Sequence, residues 1–561
     1  MISCPHCAAN LKFSIEYQKL ACESCNSQFD VNAFEGEGGA EEDNSYEVTV
    51  FTCPQCAGEL YTTDTSATAF CSFCGASNIL ESRIERELRP QYIIPFKKSK
   101  EDCKKEYMKT MRMAVFAPKE LKSKKHIESF RGIYMPYWLY HVKQQDRVSL
   151  EGKRERRSGD YIITSHYDLS ADLDAQYKGM SCDASSSFAD SISEKLAPFD
   201  VKEMKHFTPG YLSGFYADTA DVPGSLYQQE VKETAARRSF KFIKKNTDFS
   251  KYIISHDDSS LASRLKTKLE QEERAMFPVW FLAYRNKDRV AYATVNGQTG
   301  KVVADLPVDI GKYIIGTCLL AIPIFVLLNL FFTVTPKVLL GVVAVISMAI
   351  SILHAVELGA IRKQDAYEDD KGHQHMLLRN KAKAEEEKRR QMMEAAAALG
   401  EDLEDLEPHE SKSTAKEKSK NAPMPAIVKA LIIFFAIFMG LEFIVPAGLV
   451  VLSLFSLDAE MIIATGVSLL GTLIAFFSGK SSLKKMGKPQ AVTATIWCLI
   501  AGVIALIIAF LKPVHDAFYY GAAILAMVSM FVTLIDLIQK YNILATRRLP
   551  QFDYKGGDDR A

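Results

Sequence analysis

Long apolar runs and short alternating ones divide this chain into two unlike parts. After residue 312, six stretches are apolar for the roughly 20 residues that a membrane-crossing helix needs. They are Tyr313–Val334, Val338–Ile361, Ala430–Leu457, Met461–Ser478, Ala491–Leu511 and Phe518–Ile538. An ordinary core helix keeps a polar stripe, and a run such as LLAIPIFVLLNLFF from Leu319 lacks one. Six spans are therefore expected. The third is overlong and carries Glu442 and Pro446 inside it.

Before residue 312 the period shortens. Residues 88–310 read as an α+β, β-rich cytosolic domain. A helix is expected over Lys100–Val115, with Ser99 as its N-cap and Asp102 in its first turn. Three segments share a Pro-x-aromatic pattern: IYMPYWLYHV from Ile133, HFTPGYLSGFYAD from His206 and MFPVWFLAYR from Met276. They predict strands with Trp138, Tyr211 and Trp280 in a core, each proline standing at a strand's first residue or edge. An aromatic ligand cage is the alternative. RVAYATVNGQTGKVVAD alternates about Asn296-Gly297, a hairpin signal. It ends just before the first span, which sets the domain against the inner leaflet.

Cysteine spacing adds two more pieces. Cys4, Cys7, Cys22 and Cys25 recur 49 positions later as Cys53, Cys56, Cys71 and Cys74, both sets reading C-x2-C-x14-C-x2-C. That spacing brings four thiolates round one tetrahedral zinc. Gly75 suits the left-handed backbone that such knuckles use. Disulfides would need an oxidising compartment; the opening MISCPHC shows no secretory pattern, so a reducing cytosol is expected. A site with four protein ligands has no open position, making the metals structural, and His6 is expected to be an exposed knuckle residue.

The organisation is thus multidomain: two small β zinc ribbons at 1–30 and 48–80, an acidic Gly-rich linker at 31–47, and the β-rich domain at 88–310. Then follow spans one and two at 313–361, a charged cytosolic segment with a helix at 362–425, spans three to six at 426–541, and a tail at 542–561. Fourteen Lys or Arg between residues 362 and 429, with more in the 480–490 loop and the tail, oppose only Lys337 and Lys512 on the other face. The positive-inside rule then places both termini in the cytoplasm of a multi-pass membrane protein.

Overall charge is zero, but its distribution is uneven. Residues 1–87 hold four Lys or Arg against fourteen Asp or Glu, a net of −10, which argues against nucleic acid on the ribbons. Residues 88–160 are net +10, with KKSK at 97, KSKK at 122 and KRERR at 153. Anionic lipid is the expected partner of this block; nucleic acid or the chain's own acidic ribbons are alternatives. FSGKSS at 477 lacks the first glycine of a phosphate loop and follows an apolar helix, and no H-E-x-x-H occurs. Enzyme chemistry is not expected. Four ionisable residues in or near the spans, His354, Glu357, Glu442 and Asp536, are what a transporter or channel would use.

With CPHC and CESC, CPQC and CSFC, the IYMPYWLY segment and the VNGQTGKV hairpin leading into a span, the chain resembles bacterial tandem zinc-ribbon membrane proteins of the YdjG type. The resemblance covers roughly residues 1–360, and its metal positions match the eight cysteines. It implies a role near phage-shock-type envelope-stress systems, recruiting a soluble SPFH-like or virion-core-like partner to the membrane. The last four spans exceed that pattern. The expected function is a non-enzymatic scaffold or sensor that brings a cytosolic protein to the inner membrane. Membrane-tethered nucleic-acid binding and transport are the alternatives.

Overall fold

The computed structural model describes residues 2–34, 45–53, 59–62, 71–72, 81–187, 189–246, 248–254, 265–286, 289–331, 335–365, 457–485 and 494–548, together with scattered positions between 368 and 390. The third apolar run, Glu442, Gly75 and most of the charged segment at 362–425 lie outside the described residues.

The first cysteine quartet belongs to a three-stranded sheet, β1 (Leu11–Ser14), β2 (Lys19–Cys22) and β3 (Gln28–Phe29). A second, thirteen-stranded sheet forms the body. It includes β4 (Ser45–Thr52), β5 (Glu59–Thr62), β6 (Glu81–Leu88) and β7 (Tyr92–Ile93). Helix α1 (Lys100–Met113) starts as expected: the Ser99 hydroxyl accepts from the Asp102 N–H, and the Asp102 carboxylate accepts in return from the Ser99 N–H. A short helix α2 (Lys124–Ile127) leads into β8 (Arg131–Ser158) and β9 (Tyr161–Asp183). Next come α3 (Asp190–Leu196), β10 (Lys205–His206), β11 (Tyr216–Asp218), α4 (Gln228–Asn246) and β12 (Ile253–Ile254). The long strand β13 (Thr267–Asn286), with β14 (Arg289–Asn296) and β15 (Val302–Ala304), completes the domain before the helices.

The aromatic segments depart from expectation in two ways. Pro136 and Pro278 stand inside β8 and β13, opposite Met276 and Tyr134, and not at strand ends. Each is an acceptor where it stands, Pro136 O for the Ala184 N–H (3.0 Å) and Pro278 O for the Gly297 N–H (2.8 Å), while the Ala184 and Gly297 carbonyls, which a proline cannot serve, accept from the N–H groups of Val222 (3.1 Å) and Lys97 (2.9 Å). The segment from His206 is a 3₁₀ turn at Pro209–Leu212 with only a short strand after it. Its Tyr211 packs on Phe13 of the first ribbon, ring centroids 5.2 Å apart, and the Phe13 N–H bonds Ser213 O at 2.9 Å. The turn therefore carries the ribbon on the body.

The hairpin at Asn296 also forms by a different route. Asn296 Oδ1 accepts the N–H groups of Gln298 and Thr299, both at 2.9 Å, and Gly300 takes the positive φ of 81°. Gly297 is required for room instead: a Cβ there would come within 2.6 Å of Phe96, which stacks on Phe215 at 4.4 Å in the core.

Five described helices follow: α5 (Ile310–Phe331), α6 (Pro336–Asp365), α7 (Leu457–Lys485), α8 (Thr495–Leu511) and α9 (Asp516–Ala545). Three of them, over Pro336–Gln364, Met461–Lys485 and Asp516–Ile543, are long and apolar enough to cross a membrane. Of the other expected spans, two are shorter apolar helices among the described residues, Ile310–Pro323 and Thr495–Leu511, and one lies outside them; FSGKSS lies within α7. Small residues, Ala501, Ala505 and Ala509 of α8 with Ala522, Ala523 and Ala526 of α9, let the helices approach closely.

Candidate metal centre and a projecting arm

Cys4, Cys7, Cys22 and Cys25 place their sulfurs within 4.8 Å of one another. Cys4 and Cys25 are 3.6 Å apart and Cys7 and Cys22 3.4 Å, all four free. A disulfide needs about 2.05 Å, whereas tetrahedral zinc with bonds of about 2.3 Å sets its sulfurs about 3.8 Å apart. The donor set and its spacing therefore fit a metal ion. Two matching knuckles build it. The Ala8 N–H bonds Cys4 O (2.8 Å) and the Asn26 N–H bonds Cys22 O (3.0 Å), with left-handed φ of 59° and 58° at Ala8 and Asn26.

Both residues follow their first cysteine by four, as Gly75 follows Cys71. His6 stays out of the cluster; its Nδ1 bonds the Ser27 hydroxyl at 2.8 Å. Hydrogen bonds from the Ser27 hydroxyl and N–H pull the Cys25 thiol down to about 6. The Ala9 N–H lowers Cys7, but neighbouring sulfurs outweigh it and leave that thiol at about 12. A cation among the four sulfurs favours the thiolates.

Of the second quartet, Cys53 and Cys71 are described, both buried beside Phe51, Leu60 and Val279; Cys56 and Cys74 lie outside the described residues.

The net +10 block does not fold into one patch. Lys97 pairs with Glu203 at 2.6 Å. Lys124 and Lys125 are exposed in α2, whose His126 packs on Tyr284 of β13, ring centroids 5.7 Å apart. KRERR is carried to the end of a long arm. There β8 and β9 pair from Tyr137↔Asp183 out to Ser158↔Tyr161, closing on Gly159-Asp160 with Gly159 at φ 61°. The dipeptide within SGDY was the readable turn signal for this arm, and the sequence reading passed over it. Val148, Leu150 and Leu169 bind the arm's lower part to Phe240 and Ile243 of α4. At the tip, Tyr161 is 78% and Ile162 67% exposed, with Arg157 opposite Ile162 and Arg156 opposite Ile163.

Of the ionisable residues in the spans, two meet. His354 Nε2 on α6 and Asp536 Oδ2 on α9 are 2.5 Å apart, with Lys540 3.8 Å from the same carboxylate.

The uncharacterized protein YdjG of Bacillus subtilis (strain 168) is a distant relative, 28% identical over 313 residues that span 55% of this chain and 90% of the relative. No family model matches the chain. No solved structure matches it either.

Proposed function

We propose that this chain is a non-enzymatic, multi-pass scaffold or sensor of the bacterial cell membrane, with cytoplasmic termini, that recruits a cytosolic protein. On this reading both cysteine quartets hold structural zinc, six spans anchor the body, and the setting is envelope stress. The observation that carries it is the arm. Phe281 of β13 pairs with Arg131, where β8 begins; β13 then runs on to Asn286, opposite Arg289 of β14, and Arg289 and Val290 pair with residues 547–548 just after α9. From there β8 runs 28 residues, about 90 Å at 3.3 Å each, away from the helices. An exposed Tyr161-Ile162-Ile163 edge beside Arg154, Arg156 and Arg157 suits an acidic protein surface with an apolar centre. Exposed Met113 and Val115, with the Lys122 ammonium on the Ala114 carbonyl between them and Lys312 of α5 on Ala117 O, suit anionic lipid at the base of α5.

A photo-crosslinking residue placed at Ile162 in cells tests this. A single protein adduct that disappears in the R154E/R157E variant is expected; adducts only to nucleic acid, or a pattern unchanged by those substitutions, overturn it. The His354–Asp536 pair favours a second reading, proton-coupled transport. Proton flux into liposomes that H354A abolishes would support that reading, and equal flux would remove it.

A further inference from the structure

Between the end of β9, helix α3 and the start of α4 lies a cavity of about 310 Å³ whose wall holds Asp183, Asp190, Glu194 and Glu230 against one cation, Lys371. Most of this charge is already engaged. Asp190 accepts from the Tyr227 hydroxyl and the Lys371 N–H, both at 2.9 Å, and Glu230 pairs with the Lys371 ammonium. Asp183 differs. It is 4% exposed, and while its Oδ1 accepts the Ser185 N–H at 3.1 Å, its Oδ2 has no partner. Burial first, and then the neighbouring Asp190, push the Asp183 carboxyl well above its usual range, a cost that a positive ligand in this acidic cavity would relieve.

We propose that this cavity binds a hydrated divalent cation of the magnesium class, held directly by Asp183 and through water by Glu194 and Glu230. Oxygen donors select a hard ion. Cys182, the sulfur in the wall, is kept a neutral thiol by burial. Among the described residues, the first cysteine quartet alone brings three or more such ligand atoms within 4.8 Å of one another, so these carboxylates do not close on a bare ion. The cavity has room for about ten waters at roughly 30 Å³ each. Magnesium keeps several of its waters and needs one or two carboxylates. Lys371 lies six residues beyond the end of α6, so the ion and this strap from a membrane helix share Glu230.

The test uses the full-length chain in detergent micelles, with manganese as a paramagnetic probe and magnesium as competitor. One saturable manganese site, displaced by magnesium and weakened at least tenfold in both D183N and E194Q, is expected, with cysteine-bound metal and helix content unchanged. Absence of saturable binding, equal binding in wild type and both variants, or displacement by spermidine but not by magnesium would overturn the proposal.

Discussion

The two cysteine quartets have the same spacing and unlike surroundings. The first stands in its own three-stranded sheet, with Cys7 and Cys25 exposed and Cys4 and Cys22 buried, and meets the body at the turn Pro209–Leu212 and at Phe96, whose carbonyl accepts from Gln18. The flanks of the second are woven into the large sheet: β5 pairs with both β4 and β11, and Cys53 and Cys71 are buried in the body's core. One motif can therefore be a docked accessory or a piece of the main fold. What separates them is whether the neighbouring strands find partners outside the ribbon.

The sharpest way to break that comparison is to remove one sulfur from each. Cys53→Ser puts a hydroxyl into the apolar core beside Phe51 and Val279, and should destabilise the whole body by about 3 kcal/mol. Cys22→Ser should open β1–β3 and leave the body's main unfolding transition in place, because small ribbons draw most of their folding free energy from metal. Amide hydrogen exchange of β1–β3 against β4–β6, with metal content per chain, separates the two; equal loss of protection in both regions would mean the contrast is false.

Gly210→Ala acts on the joint between ribbon and body. A Cβ there meets Val31 at 2.9 Å, so a cost of about 1–2 kcal/mol is expected, read as faster proteolysis of the 31–47 linker. Acid sharpens the difference further. The ribbon should lose metal as its thiolates take up protons. In the body, the Ser99 hydroxyl and N–H hold the Asp102 carboxyl below its usual range, so its stabilising effect is present above the unfolded pKa and lost as pH falls through the lowered value. Asp102→Asn should flatten that part of the pH–stability curve. The smallest effect is expected at the arm tip, where Ile162→Asp should change stability by under about 0.5 kcal/mol in a denaturant titration while removing the crosslinked partner.

Much of this was legible in order of sequence distance. The Ser99 cap, the knuckle turns four residues after each first cysteine and the apolar runs are local: each depends on residues within one or two turns of chain. The Cys4–Cys25 quartet was legible because four ligands of one type at fixed spacing leave few other arrangements. The arm was missed although SGDY marked its turn, because its strands are exposed on one side and carry mixed charges, which lowers the apolar alternation that identifies strands. Proline cannot donate, which points to strand ends; the sheet instead uses Pro136 and Pro278 as acceptors for Ala184 and Gly297, while the strands that seat them, opposite Met276 and Tyr134, come from distant parts of the chain.

The amino-acid order alone settled which residues gather round the first candidate metal site and marked the three long apolar helices, since thiolate spacing and hydropathy act within a short segment. Tertiary structure decided that the second quartet's strands join the body's sheet, that the turn at Pro209 is a docking surface, that one basic block divides among three places, and that Asp183, Glu230 and Lys371 share a cavity. Those outcomes depend on hydrogen-bond partners and buried charges supplied by distant segments, and a chain's local pattern does not contain its neighbours.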